Sequence, residues 1–231
     1  MIFVPGFLED DAKLDQDVSI EACKALWQRI VAQLDLLFTW RWQWHHQNPQ
    51  VVEENIIKDN RRQKLALHFT SLLHAVDILT YDSALIWLLG LLWKLNPCLA
   101  PLAVEDSASR TKLSILSPSS ENPNCLHLPG SATKLKEVAI EIYHVFDFQM
   151  RNIRGHRVSS LFFLMPIGLA WSVLQGDEKW RSSITETLAL SRVTKGYQAG
   201  QNPIIRGGDG GEEVVERNAF GFGAYAVPRV V

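Results

Sequence analysis

The sequence predicts an all-α domain, an irregular multi-helix bundle packed around buried apolar helices. The chain has 231 residues, of which 47% are hydrophobic, so it can bury a core of its own. Between Leu65 and Trp93 it carries no Lys, Arg or Pro, and its only acids are Asp77 and Asp82. A helix that is apolar around its whole circumference must be enclosed by other elements. We therefore expect this stretch to form the central helix.

The first predicted helix runs from about Ile20 to Trp44. Asp17 or Ser19 can cap its start, and Asn48-Pro49 ends it, because the residue before a proline avoids the helical conformation. Its core-facing residues recur at steps of three and four, which is typical of an amphipathic helix. They are Ile20, Cys23, Trp27, Ile30, Leu34, Leu37 and Phe38.

Three tryptophans, Trp40, Trp42 and Trp44, alternate near the end of this helix. Successive helical positions point in different directions, so alternate residues do not line one face. We therefore expect some of the three rings to contact a neighbouring helix or a loop rather than a single core.

A second helix is predicted over residues 51–62, which are polar and rich in charge, and it continues into the apolar helix from Leu65 to Leu95. Asn96-Pro97 ends that helix. Residues 97–130 contain five prolines among Ser, Asn and Asp, a composition that does not sustain a long helix. We expect an exposed loop here, or an insertion, since a connection of this length is unusual within one domain.

Two helices are predicted after that loop. One runs from a cap at Ser131 or Thr133 to about Asn152. Its inward residues are Leu135, Val138, Ala139, Ile142, Phe146 and Ile153. The next is nearly uncharged, covers residues 158–174 and bends at Pro166, because proline lacks a backbone donor and clashes with the preceding turn.

The last predicted helix runs from Glu178 to about Thr194, with Asp177 as its cap. Its inward residues are Trp180, Ile184, Leu188 and Val193. Periodicity then stops, and residues 199–231 are expected to form a flexible, disordered tail. The chain therefore divides into an acidic leader at residues 1–17, a helical domain at residues 18–198, and that tail.

Charge and cysteine content narrow the class of protein. The formal net charge is −2, so the bulk electrostatics indicate neither nucleic acid nor an anionic membrane as a partner. Cys23, Cys98 and Cys125 are an odd number at wide spacing, which argues against a disulfide framework and fits a reducing compartment.

The N-terminus lacks the basic and apolar regions of a signal peptide. Residues 158–176 are uncharged, but their Ser, Gln, Pro and Gly content favours a buried helix over a membrane span.

We predict no catalytic, cofactor-binding or metal-binding residues. The acidic run Glu9-Asp10-Asp11 with Asp15 and Asp17 could gather Mg²⁺ for a diphosphate substrate, but no second metal-binding motif accompanies it. The seven histidines include none at HxxxH spacing, and His45-His46 are adjacent.

No GxSxG motif is present. The segment GFGAYA at Gly221–Ala226 matches a loose dinucleotide fingerprint but lacks the flanking strand and helix that the motif needs.

Two small basic clusters are interpreted as solvated helix faces. They are Lys58/Arg61/Arg62/Lys64 and Arg151/Arg154/Arg157. The first could also act as a nuclear import signal or contact phosphate. Double-stranded DNA binding usually demands a denser basic surface, so we expect no direct DNA binding by this chain.

Several segments share a pattern with one known family. LWQRIVAQLDLLFTWRWQWHHQNP is a Trp-bearing amphipathic helix that ends at a proline, and LHFTSLLHAVDILTYDSALIWLLGLLWKLNP follows it. Three further segments come next, and they include a Phe-x-x-Pro-x-x-x-Ala helix and a closing Trp helix. They are EVAIEIYHVFDF, SSLFFLMPIGLAWSVLQ and DEKWRSSITETLALSRVTKGYQ. In this order they resemble the regulatory region of fungal Zn2Cys6 zinc-cluster transcription factors. The resemblance spans roughly residues 20–198.

The resemblance implies a helical regulatory module, nuclear in full-length relatives, that modulates activation and contacts ligands or co-regulators. It brings no catalytic residues. The six-cysteine cluster that binds zinc and DNA in these factors is missing here. We therefore expect a nuclear regulatory domain that binds protein co-regulators or forms a homo-oligomer.

Two other functions stay open. Eight tryptophans permit an apolar pocket, so a small-molecule-binding sensor domain is one alternative, although the same rings can simply build core. An all-α enzyme is the least favoured, and a pocket holding converging carboxylates would revive it.

Overall fold

The computed structural model describes residues 19–59, 62–113, 125–132, 134–152 and 163–190, together with Gly6 and Thr194. These residues form six helices and one hairpin, which confirms the all-α class. In chain order they are α1 Ile20–Gln47, β1 Val52–Asp59, β2 Arg62–Phe69, α2 Leu72–Leu95, α3 Ala100–Leu113, α4 Leu135–Asn152, α5 Leu164–Leu174 and α6 Glu178–Leu188. The expected acidic leader and C-terminal tail lie outside the described residues, apart from Gly6.

The first helix forms as predicted, except that Ile20, which was expected to face the core, is 83% exposed. Ser19 is its N-cap, and its Oγ accepts a hydrogen bond from the Ala22 N–H at 3.2 Å. At the other end Asn48 Nδ2 donates to the Trp44 carbonyl oxygen at 2.8 Å. The other candidate cap, Asp17, lies outside the described residues. The inner face of α1 packs against α2 and α3.

The predicted helix over residues 51–62 is wrong, because residues 52–59 form strand β1, which pairs with β2 in an antiparallel hairpin. The register runs from Val52 opposite Phe69 to Asp59 opposite Arg62. In β2 the apolar residues Leu65, Leu67 and Phe69 alternate with other residues, which is the period of a strand. Two tertiary interactions favour the strand over a helix: the pairing across the hairpin, and the contact of Phe69 with Phe148, whose ring centroids are 5.1 Å apart. Neither partner is visible locally in the sequence.

The central apolar helix is confirmed, but it begins at Leu72 and not near Leu65. Ser71 Oγ accepts from the Leu73 N–H at 3.1 Å and so caps it. Almost every residue from Tyr81 to Leu92 is buried, because α2 is covered by α1, α4 and α5. By length and composition α2 could also cross a membrane, yet 72% of its most apolar window is buried inside the protein. That burial is typical of a core helix.

The predicted loop over residues 97–130 contains a helix, α3, so that prediction is partly wrong. Pro101 is the second residue of α3, a position where a missing N–H breaks no helical hydrogen bond. Just before the helix, Asn96 Oδ1 accepts from the backbone N–H groups of Cys98 and Leu99, each at 3.1 Å. Arg110 on α3 pairs with Asp35 on α1 at 3.0 Å. Residues 125–132, which we call the strap, then lead without regular structure toward α4.

The C-terminal helices agree with the predictions in their inward faces and differ at their ends. The predicted stripe of α4 is buried or half-buried from Leu135 to Phe146, and Ile153 lies outside the described residues. Ser131 is not its cap: the Ser131 Oγ donates to the Leu128 carbonyl oxygen, while the Lys134 N–H donates to Glu137 Oε2 at the helix start. Thr133 and Val193 lie outside the described residues.

Pro166 does not bend a helix, contrary to prediction. It is the third residue of α5, where its lack of an N–H is harmless. The last helix, α6, begins at the predicted cap, since Asp177 Oδ1 accepts from the Lys179 N–H at 3.1 Å. It ends at Leu188 rather than near Thr194, and its residues Trp180, Ile184 and Leu188 face inward.

The three alternating tryptophans contact two neighbouring helices, as expected. Trp40 stacks on Tyr81 of α2, with ring centroids 5.8 Å apart. Trp44 Nε1 donates to Asp77 Oδ2, also on α2, at 3.3 Å. Trp42 instead faces α3, where Lys112 Nζ lies 5.8 Å from its ring centroid.

Candidate functional site

Four buried ionisable side chains meet where α1, α2 and α4 lie under the strap. They are Arg41 on α1, Tyr81 and Asp82 on α2, and Glu141 on α4. Ionisable side chains are seldom fully buried unless they are paired, so this cluster is the most unusual chemistry in the described residues. His127 of the strap lies above it and is largely exposed.

Arg41 is completely buried, with 0% of its surface exposed. Its guanidinium lies 5.0 Å from the Trp44 ring centroid and 5.7 Å from that of Tyr81, so two aromatic faces hold it by cation–π attraction. Arg41 Nη2 donates to the backbone carbonyl oxygen of His127 at 3.3 Å. Its Nε and Nη1 groups have no acceptor among the residues described.

Glu141 also contacts His127, through the backbone N–H group of that residue. Its Oε2 accepts from the His127 N–H at 2.8 Å and lies 3.8 Å from His127 Nε2. Its Oε1 is buried and meets no hydrogen-bond partner in the described ranges. Arg41 and Glu141 therefore fix the strap at one residue, from two different helices.

Asp82 completes the cluster from the centre of α2. Only 2% of it is exposed, and its Oδ2 finds no partner within the part of the chain that the structure describes. A buried polar atom without a hydrogen bond costs about 1–3 kcal/mol, so this oxygen favours protonation or contact with a water molecule.

Burial and charge repulsion shift the carboxyl groups toward their neutral forms. Burial raises the pKa of Asp82 well above its usual range, the nearby Glu141 raises it further, and Arg41 opposes both. Burial also raises the pKa of Glu141, against the opposing influence of His127 and Arg41. The Tyr81 pKa is raised well above its usual value, mainly by burial. One guanidinium faces two carboxyl groups, so it balances the charge of only one carboxylate, and the neutral form of the other is favoured.

A small cavity lies between the two carboxyl residues and the strap. It measures about 10 Å³, room for about one water molecule. Tyr81, Asp82 and Glu141 form part of its helical wall, and strap residues including His127 and Gly130 close it. The cavity can hold a water or a proton relay between carboxyl groups, and it is too small for a metabolite.

The residues that the sequence singled out lie elsewhere. Arg151 pairs with Asp147 on the same helix at 3.0 Å, and Arg154 and Arg157 lie outside the described residues. Lys58, Arg62 and Lys64 belong to the strands of the hairpin, so the interpretation of this cluster as a helix face is wrong, and Arg61 lies outside the described residues. Across the described ranges no group of three or more His, Cys, Asp or Glu could hold a metal ion.

Sequence reasoning missed this cluster, although one signal was present. Asp82 is one of two acids in the apolar stretch, and an acid on a helix buried all round must be neutral or paired. Arg41 gave a weaker signal by falling among the apolar positions of α1. Glu141 did not stand out, because α4 also carries the acids Glu137 and Asp147.

No protein-family model, curated protein or solved structure matches the chain. The fold and the site therefore define a helical domain with a buried ionisable cluster.

Proposed function

We propose that this chain is a nuclear regulatory domain that acts by binding other proteins, as the regulatory region of fungal Zn2Cys6 transcription factors does. The order of the helices supports this class. The tryptophan-bearing α1 ends before Pro49, the buried α2 follows, and α5 and α6 come last. The sequence contains three cysteines and not the six of a zinc cluster. We assign it neither a catalytic role nor a cofactor.

The β1–β2 hairpin is the observation that carries the binding role. Its base is fixed to the helices by Val52, Leu67 and Phe69, which are all buried. In the ranges described the sheet has only these two strands, so each outer strand edge offers backbone groups for pairing. Ile56, near the middle of β1, is 68% exposed. An isolated hairpin with an exposed apolar residue is suited to receive a further strand.

The strand edge indicates what kind of segment would bind there. A partner that adds a strand would gain backbone hydrogen bonds along the edge of the hairpin. The proposed partner is therefore a co-regulator protein with an extended segment.

The cavity size favours this function over the two alternatives. Asp82 and Glu141 do converge on one cavity, which is the feature that would favour an all-α enzyme. A site for a small-molecule substrate or effector usually needs about 300 Å³ or more. The cavity of about 10 Å³ holds neither, so we prefer protein binding to a metabolite sensor or an enzyme.

A reporter assay tests the proposal. The chain is fused to a heterologous DNA-binding domain, and transcription is compared for the wild type, Ile56→Lys and the control Ile20→Lys, which changes a still more exposed isoleucine on α1. We expect the wild type and the control to change transcription severalfold, and Ile56→Lys to lose the effect while melting like the wild type. Equal activity of all three would remove the hairpin from the mechanism. No activation, repression or nuclear partner for the wild type would refute the function.

A further inference from the structure

The buried carboxyl pair points to a role that does not depend on the proposed function. We propose that Asp82 and Glu141 share one proton through a single internal water, and that this proton keeps the strap attached to the helices. The site is therefore a proton-binding latch.

The cavity provides the place for the water. A buried water needs about 10–15 Å³ and two to four polar partners. The cavity of about 10 Å³ is lined by both acids, and each has one buried oxygen without a partner among the described residues. A bridging water satisfies both oxygens at once. This explains how two such groups can be buried without the cost of two orphaned acceptors.

The balance of charge provides the reason for the proton. The groups facing the two carboxyls are Arg41 from α1, Tyr81 from α2, and Cys125 and His127 from the strap. Only Arg41 is a permanent cation, so it balances one carboxylate and leaves the other to be neutralised by a proton. Because the two acids are coupled, the proton belongs to the pair and not to either residue alone.

The strap is the part of the cavity wall that can move without unfolding a helix. Asp82 and Glu141 sit on helices, whereas the covering residues from His127 to Ala132 have no regular structure. When the shared proton leaves, two carboxylates remain in a nearly dry site with one compensating cation. Opening of the strap would hydrate them, so opening becomes more favourable as the pH rises.

Hydrogen exchange of the strap amides as a function of pH tests the latch. After correction for the intrinsic pH dependence of exchange, loss of one proton should raise the opening constant by up to about tenfold per pH unit above the titration. In wild type we expect the strap amides, His127 included, to lose protection in this way while the amides of α2 keep theirs. In Asp82→Asn the corrected protection should vary with pH much less than in wild type.

Two further variants make the result decisive. Asp106→Asn changes an exposed acid on α3 and should keep the wild-type pH dependence. Glu141→Gln retains an acceptor for the His127 N–H, so it carries the same test if Asp82→Asn does not fold. An unchanged pH dependence in the folded variants would overturn the latch, as would simultaneous loss of protection in strap and α2. A crystal structure below the titration should show one water between Asp82 and Glu141, and a dry cavity would refute the water bridge.

Discussion

Gly130 packs so closely on Ala108 that a Cβ atom added to the glycine would lie 2.6 Å from the Cβ of that alanine. The φ angle of Gly130 is +82°, a conformation that residues with a side chain rarely adopt. One glycine thus allows the strap both to turn and to approach α3.

Gly130→Ala is therefore expected to destabilise the protein. The positive φ alone costs about 1–3 kcal/mol, and the overlap with Ala108 adds to it. Denaturant unfolding measures the change. The control is Gly176→Ala, where the added Cβ meets nothing within 4 Å, and it should stay within about 0.5 kcal/mol of wild type. Equal effects at the two positions would contradict this packing.

Arg41→Ala is expected to destabilise the fold strongly. It removes the hydrogen bond to the His127 carbonyl oxygen and the only permanent cation that faces the two buried carboxyls. Removing one member of a buried charged group typically costs about 3–5 kcal/mol. Lys24→Ala changes an exposed cation on the same helix and should be nearly neutral. Comparable unfolding free energies for both variants would show that the Arg41 guanidinium is dispensable.

Leu88→Asp is expected to unfold the domain. Leu88 is 1% exposed at the centre of α2, and an unpaired buried carboxylate costs several kcal/mol against a total stability of roughly 5–15 kcal/mol. Trp87→Asp, one residue earlier, should act in the same way. Leu73→Asp lies on the same helix but is 66% exposed, so it should fold. Circular dichroism and thermal melting show whether each variant folds. A soluble Leu88→Asp protein that melts cooperatively would contradict the buried position of α2.

Stability is expected to fall as the pH rises above the ordinary range of aspartate titration. A carboxyl whose pKa is raised in the folded state binds its proton more tightly there than in the unfolded chain. Its stabilising contribution is complete below the unfolded pKa and is lost as the pH rises through the folded pKa of the pair. The free energy of unfolding, measured from about pH 5 to about pH 9, should show this decline.

Asp82→Asn should flatten that pH profile, because the amide cannot ionise. Asp106→Asn, an exposed acid on α3, should leave the slope unchanged. A profile that stays steep after Asp82→Asn would assign the pH dependence to other groups.

The sequence predicted the helices that carry a strong amphipathic or uniformly apolar pattern. α1, the central part of α2, and the inward faces of α4 and α6 follow from the spacing of apolar residues alone. The hairpin was missed because a strand is fixed by its partner across the sheet, and the charged residues of β1 fit an exposed helix equally well. α3 was missed because proline was counted as a helix breaker, whereas Pro101 occupies the first turn.

The buried cluster could be predicted only in part. Asp82 was visible as an acid within the apolar stretch, but nothing in the chain order indicated that Arg41, Glu141 and His127 would meet it. Such a site depends on contacts between residues far apart in sequence, and these arise from helix packing rather than from local pattern.

The sequence by itself determined that this protein is helical, that it has one apolar core, and that α2 lies within it. It could do so because helical periodicity and hydrophobic burial are properties of short stretches of chain. Only the tertiary structure decided that residues 52–69 form a hairpin, that the strap covers α2 and α4, and that Arg41 stands against two buried acids. Those outcomes rest on long-range pairing, packing and desolvation, whose energies exist only once distant segments have come together.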